Sequence, residues 1–163
     1  RAAKTMNLLT EHRISSYGEL ESILNAVSAR RDTAHAEIKR IESRSAELAL
    51  VMKHAGTYRQ LKPLYERYRK SNDKEKFLRG HESEIILFEA AARELKRLGT
   101  VPLPTTESMK TELANLNAEK ERLLAEYKAA RTEAQEYDTV KQNVDALLAV
   151  PKEQEQQRRH ELE

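Results

Sequence analysis

The sequence predicts an all-α fold, a long antiparallel coiled-coil hairpin with a small helical cap at its tip. Three observations predict it. Ala, Glu, Lys, Leu and Arg make up 56% of the 163 residues, a share typical of long helices and coiled coils. Val and Ile together number only 12, with four Gly and four Pro, too few for a sheet-rich domain with its β-branched strands and tight turns. Two long segments also carry a sustained heptad repeat of apolar residues, the pattern that makes helices pair along a narrow seam.

Residues 1–15 read as a short helix with Met6, Leu8 and Leu9 on it, then a linker. Ser16 and Glu19 have the spacing of a capping box, in which each side chain satisfies a free backbone N–H at a helix start. Residues 16–57 form the first arm. Its seam at 20, 24, 27, 31, 34, 38, 41, 45, 48, 52 and 55 is apolar at nine of eleven positions, the exceptions being Arg31 and Ser45. Gly56 and Thr57 weaken the pattern, and Pro63 is expected to kink or interrupt any continuation of the helix, since proline lacks the N–H a helix interior needs.

Residues 58–104 read as the tip. A helical stretch over 58–70 carries Tyr58, Leu61, Leu64, Tyr65 and Tyr68. Residues 71–73 form a turn that caps a short helix over 74–79. Another helix spans 81–98, ended by Gly99, and residues 100–104 are extended because two prolines exclude helix there. Thr105 or Thr106 caps the second arm, residues 105–150. Its seam runs 109, 113, 116, 120, 123, 127, 130, 134, 137, 141, 144 and 148, apolar at all but Lys120 and Lys141. Pro151 is expected to end it, leaving residues 151–163 as a disordered or weakly helical tail. Each arm of ~38 residues would be about 57 Å long. Placing Leu20 opposite Leu148 sets Ala34 against Ala134, Ile38 against Ala130, Leu48 against Lys120 and Arg31 beside Tyr137.

The same residues exclude several chemistries. Cysteine is absent, which removes disulfides, thiol nucleophiles and cysteine-held zinc. No apolar run reaches the roughly 20 residues that span a bilayer, so no membrane insertion is expected. The histidines at 12, 35, 54, 81 and 160 are scattered, with no i, i+4 pair to hold a metal on one helix face. Glu82 and Glu84 beside His81 read as acids in a helix's first turn, where they suit the positive end of its dipole. Pairs such as Glu66–Lys70 and Glu89–Arg93 have the spacing for i, i+4 support. With no such constellation, no catalytic residue, metal or cofactor is expected and the chain is read as non-enzymatic; because it begins with Arg it is read as a piece of a longer protein.

One feature rises above background. Lys53, Arg59, Lys62, Arg67, Arg69, Lys70, Lys74, Lys76 and Arg79 face only Glu66, Asp73 and Glu75 over residues 53–79, in a chain whose net charge is +2. Tyr58, Tyr65, Tyr68 and Phe77 lie among them. Cations neutralise phosphates and aromatics stack on unpaired bases, so these nine residues are the candidate nucleic-acid contacts. The tyrosines equally fit the core of a small cap, since they share a face with Leu61 and Leu64.

The segments LLTEHRISSYGELE, YRQLKPLYERYRK, EKFLRGHESEIILFEAAARELKRLG, LPTTESMKTELANLNAEKERLLAEYKAAR and VKQNVDALLAV resemble, in that order, the C-terminal helical region of relaxases. These are the mobilisation nucleases carried by conjugative transposons and related elements of Firmicutes, especially Clostridia. The stretches HESEIILFEAAA and LPTTESMKTE carry most of the specificity. The resemblance implies a parent that nicks one strand at the origin of transfer through a tyrosine, assisted by a histidine-bound divalent metal, in the bacterial cytoplasm. It implies a parent carried to the recipient through a coupling protein and a type IV secretion channel. That nicking machinery belongs to a nuclease domain that nothing here matches. Tyr17, Tyr58, Tyr65, Tyr68, Tyr127 and Tyr137 are therefore read as structural or contact residues. The partners implied are origin DNA and the coupling protein or an accessory transfer protein. A scaffold that recruits such a protein or self-associates without touching DNA is the alternative, and monomer and dimer are both open.

Overall fold

The computed structural model describes residues 2–11, 14 and 16–160. They form four helices, α1 (Ala2–Glu11), α2 (Tyr17–Lys70), α3 (Lys74–Arg97) and α4 (Thr106–His160), with no strand among the described residues. The helix ends are set by local chemistry. Ser16 accepts the Glu19 amide at 3.1 Å through its hydroxyl and the Leu20 amide through its carbonyl. Asp73 Oδ1 accepts the Lys76 amide at 3.1 Å, and Thr105 Oγ1 accepts the Ser108 amide at 3.1 Å. Each side chain supplies a partner that the first turn of a helix lacks. At the end of α3, Gly99 has φ +68°, which glycine adopts without steric cost. The Gly99 and Thr100 amides return to the Lys96 and Leu95 carbonyls, the paired bonds of a Schellman motif.

Two prolines behave differently from the expectation. α2 passes through Pro63 without interruption, so residues 58–70 continue the first long helix. α4 likewise runs through Pro151 to His160, so Pro151 does not end it. A proline removes one ladder hydrogen bond and crowds one carbonyl. Here the neighbours are strong helix formers such as Leu, Lys, Glu and Gln, which carry the helix across the defect. Residues 161–163 of the expected tail lie outside the described residues. The helix break near residue 80 is present. His81 has φ −138° and ψ 24°, outside helical values, and bends α3 there.

The chain divides into two compact units, residues 1–38 with 121–163 and residues 39–120. The expected tip, 58–104, therefore belongs to the second unit together with the adjoining parts of α2 and α4. In the first unit Leu20, Val27, Ala134, Tyr137 and Val140 form the core, with Leu8, Leu9 and Ile14 packed against it. Ala34, Ile38 and Ala130 are buried as well. In the second unit Leu48, Val51 and Ala55 of α2 meet Leu95 of α3 and Met109 of α4. A fully buried leucine such as Leu20 contributes about 2 kcal/mol by its removal from water.

The expected register is corrected in two places. Leu148 is 58% exposed and is not opposite Leu20, whose cluster takes Val140 and Val144 instead. Lys120 reaches Glu42 at 3.0 Å, while the cluster holding Leu48 takes Leu113 and Leu116. Arg31 also lies 2.9 Å from Asp32, and Tyr137 is buried in the first core. Val140 and Val51 are buried although neither is a seam position, whereas Lys141 and Met52 are only partly covered. The cause is a third helix in each unit. α1 covers one flank of the first core and α3 one flank of the second, so the buried stripe is wider than a two-helix seam.

Candidate nucleic-acid interface

The nine predicted contact residues stand in different local settings. Lys53 lies exposed on α2, well before its end. Arg59 has a structural task. Its guanidinium donates to Thr106 Oγ1 at 2.7 Å and to the Pro104 carbonyl, tying α2 to the start of α4 and the segment before it. Arg79 pairs with Glu75 at 3.5 Å with both side chains more than four-fifths exposed, an arrangement that contributes little to stability. Lys62 sits over the Tyr58 ring at 5.9 Å.

The remaining five converge in sequence on one turn. Arg67, Arg69 and Lys70 occupy the last turn of α2, and Lys74 and Lys76 open α3. Residues 71–73 between them are tightly tied. The Ser71 amide donates to the Tyr68 carbonyl, Ser71 Oγ donates to the Asp73 carbonyl, and the Asp73 amide donates to Ser71 Oγ. All five cations are exposed, and none is in a salt bridge among the described residues. The expected pairs Glu66–Lys70 and Glu89–Arg93 are not formed within salt-bridge distance among the described residues. Cations at the end of α2 suit the negative pole of that helix. Lys74 and Lys76 have no such reason, because they stand at the positive pole of α3.

The aromatic residues pack on one another. Phe88 stacks on Tyr65 at 4.3 Å and on Tyr58 at 4.9 Å. Tyr65 touches Tyr68 at 5.8 Å, Tyr68 touches Phe77 at 6.0 Å, and Phe77 touches His81 at 4.7 Å. His81 Nδ1 lies 3.4 Å from Glu84. This ladder joins α2 to α3, so the tyrosines are packing residues first.

Sequence reasoning missed a groove between α2 and α3. It has a volume of about 540 Å³ and a floor of Tyr58, Tyr65 and Phe88. Lys62, Glu66 and Arg69 line the α2 side, and Glu89, Arg93 and Lys96 the α3 side. Arg93 and Lys96 lie beyond the basic run, and only the pairing of α3 with α2 brings them to Lys62 and Arg69. The 88, 89, 92, 93, 96 spacing marks one helix face, but not the face it meets.

In the first unit, Tyr17 donates to Asp145 at 2.6 Å, and Lys141 lies 3.6 Å from Asp145 and over the Tyr17 ring. The hydrogen bond to Asp145, with burial, raises the Tyr17 phenol above its ordinary value, and burial foremost raises Tyr137. At the end of α3, Arg97 holds the Glu94 carboxylate below its ordinary value. No group of His, Asp and Glu side chains that could hold a metal is gathered among the described residues. Compared with protein-family models, curated proteins and solved structures, the chain matches none.

Proposed function

We propose that the chain is a non-catalytic helical region of a conjugative relaxase, and that it contacts origin-of-transfer DNA through the turn joining α2 and α3. In this reading α2 and α4 form an antiparallel coiled-coil hairpin and the turn belongs to its cap. Support for the hairpin comes from contacts within each unit, where α4 numbers fall as α2 numbers rise. Arg30 pairs with Glu133 and His35 meets Tyr127 in the first unit. Glu42 pairs with Lys120 and Arg44 with Glu112 in the second.

One observation carries the DNA reading. Lys74 and Lys76 sit in the first turn of α3, where the helix dipole already concentrates positive potential. They add charge where folding alone favours carboxylates, and a phosphate chain would offset that repulsion. The site of action proposed is the bacterial cytoplasm, and the parent's nicking chemistry lies outside this chain. A coupling or accessory transfer protein is the second partner proposed, favoured by the adjacent exposed Ile86 and Leu87 on α3.

The test is an anisotropy titration against single- and double-stranded origin DNA over a range of salt. Binding should weaken steeply with salt, with a log–log slope near −0.9 per phosphate contacted on duplex and about −0.7 on a single strand. Replacing Arg67, Arg69, Lys70 and Lys74 by Glu should abolish binding with the helical dichroism unchanged. Absence of binding at low salt, or full binding by that variant, would refute the reading.

A further inference from the structure

We infer that the α2–α3 groove is a docking site for a net-acidic amphipathic helix of a partner protein. The groove shares only Arg69 with the cations of the DNA reading, and its other charged side chains are distinct. The groove floor is apolar and aromatic, built from Tyr58, Tyr65 and the buried Phe88. Such a floor suits an apolar side chain seated as an anchor. Its α2 wall runs from residue 58 to residue 69, about 16 Å of helical rise. That length accepts a helix of about three turns, the usual reach of a helix held in a groove by anchors one turn apart.

The rims choose between the two classes of polyanion that four cations could attract. Lys62 and Arg69 bracket Glu66 on one side, and Glu89 precedes Arg93 and Lys96 on the other. A phosphate backbone carries one sign only and would set its charges against both carboxylates, and like-charge juxtaposition across an interface is costly. A peptide can present several carboxylates to the four cations and a Lys or Arg to each Glu. None of the four cations is in a salt bridge among the described residues, so pairing with a partner would not first break one. The α2–α3 turn differs in degree, since five cations within ten residues outnumber Asp73 and Glu75, and Asp73 is already engaged in capping α3.

The experiment is a selection of helical peptides of ~12 residues from a displayed library against the full chain. The strongest binders are then synthesised and measured by anisotropy. The expected winners carry an excess of Asp and Glu with Leu or Phe one turn apart. Their dissociation constant should rise at least ~10-fold in the double variant Lys62→Glu with Arg93→Glu, and by less in Lys62→Gln with Arg93→Gln, which removes charge without adding repulsion. Lys74→Glu with Lys76→Glu should leave peptide affinity unchanged while weakening DNA. Winners without an acidic excess, winners indifferent to the groove variants, or the absence of enrichment would overturn the inference. Peptide binding that persists when DNA binding is absent separates failure of the DNA reading from failure of this one.

Discussion

Ser45 carries a hydroxyl whose oxygen is buried without a hydrogen-bond partner among the described residues. A buried polar atom left unmet costs about 1–3 kcal/mol, and alanine is also the better helix former. Ser45→Ala should therefore stabilise the second unit by about 1 kcal/mol, read as a higher midpoint in urea with an unchanged slope. A lower midpoint would mean that the hydroxyl is satisfied in solution. Arg59 makes the opposite case. Its exposed guanidinium resembles a binding group in sequence, yet it is occupied by Pro104 and Thr106. A cation's place in a basic run does not reveal whether the fold has already used it.

The elements separate what short-range chemistry fixes from what packing fixes. Ser16, Asp73, Thr105 and Gly99 mark their helix boundaries in sequence, because a cap is an interaction among residues three or four apart. Val51 and Val140 were not legible, because their burial depends on α3 and α1 lying across the seam. The groove was hidden for the same reason, since Arg93 reaches Lys62 only through the pairing of two helices. Pro63 and Pro151 misled in the other direction, where a local penalty was outweighed by the length of helix on either side. Pro63→Ala restores a ladder donor inside α2 and should stabilise the chain, by up to about 3 kcal/mol if nothing else changes. Thermal unfolding checks it, and a lower transition would show that Pro63 itself packs productively.

At the scale of the whole molecule, the two units respond to different conditions. Tyr17 and Tyr137, both in the first unit, hold their protons more tightly when folded. A raised phenol contributes stability that is fully present below the ordinary value of about 10 and is lost as pH rises through the folded value. Thermal stability should therefore fall above pH ~10, and Tyr17→Phe should flatten part of that fall. An unchanged alkaline profile in Tyr17→Phe would remove the hydrogen bond to Asp145 as its cause. The second unit holds both arrays proposed to meet partners, one of five cations with Asp73 and Glu75 among them and one of four cations with Glu66 and Glu89. It also contains both phenylalanines and three of the six tyrosines, stacked from Tyr58 to Phe77 in a chain without tryptophan. Near-ultraviolet dichroism depends on rings held in fixed asymmetric surroundings. The ladder thus gives the protein an intrinsic optical gauge, one that dims when α3 parts from α2 even while every helix stays wound.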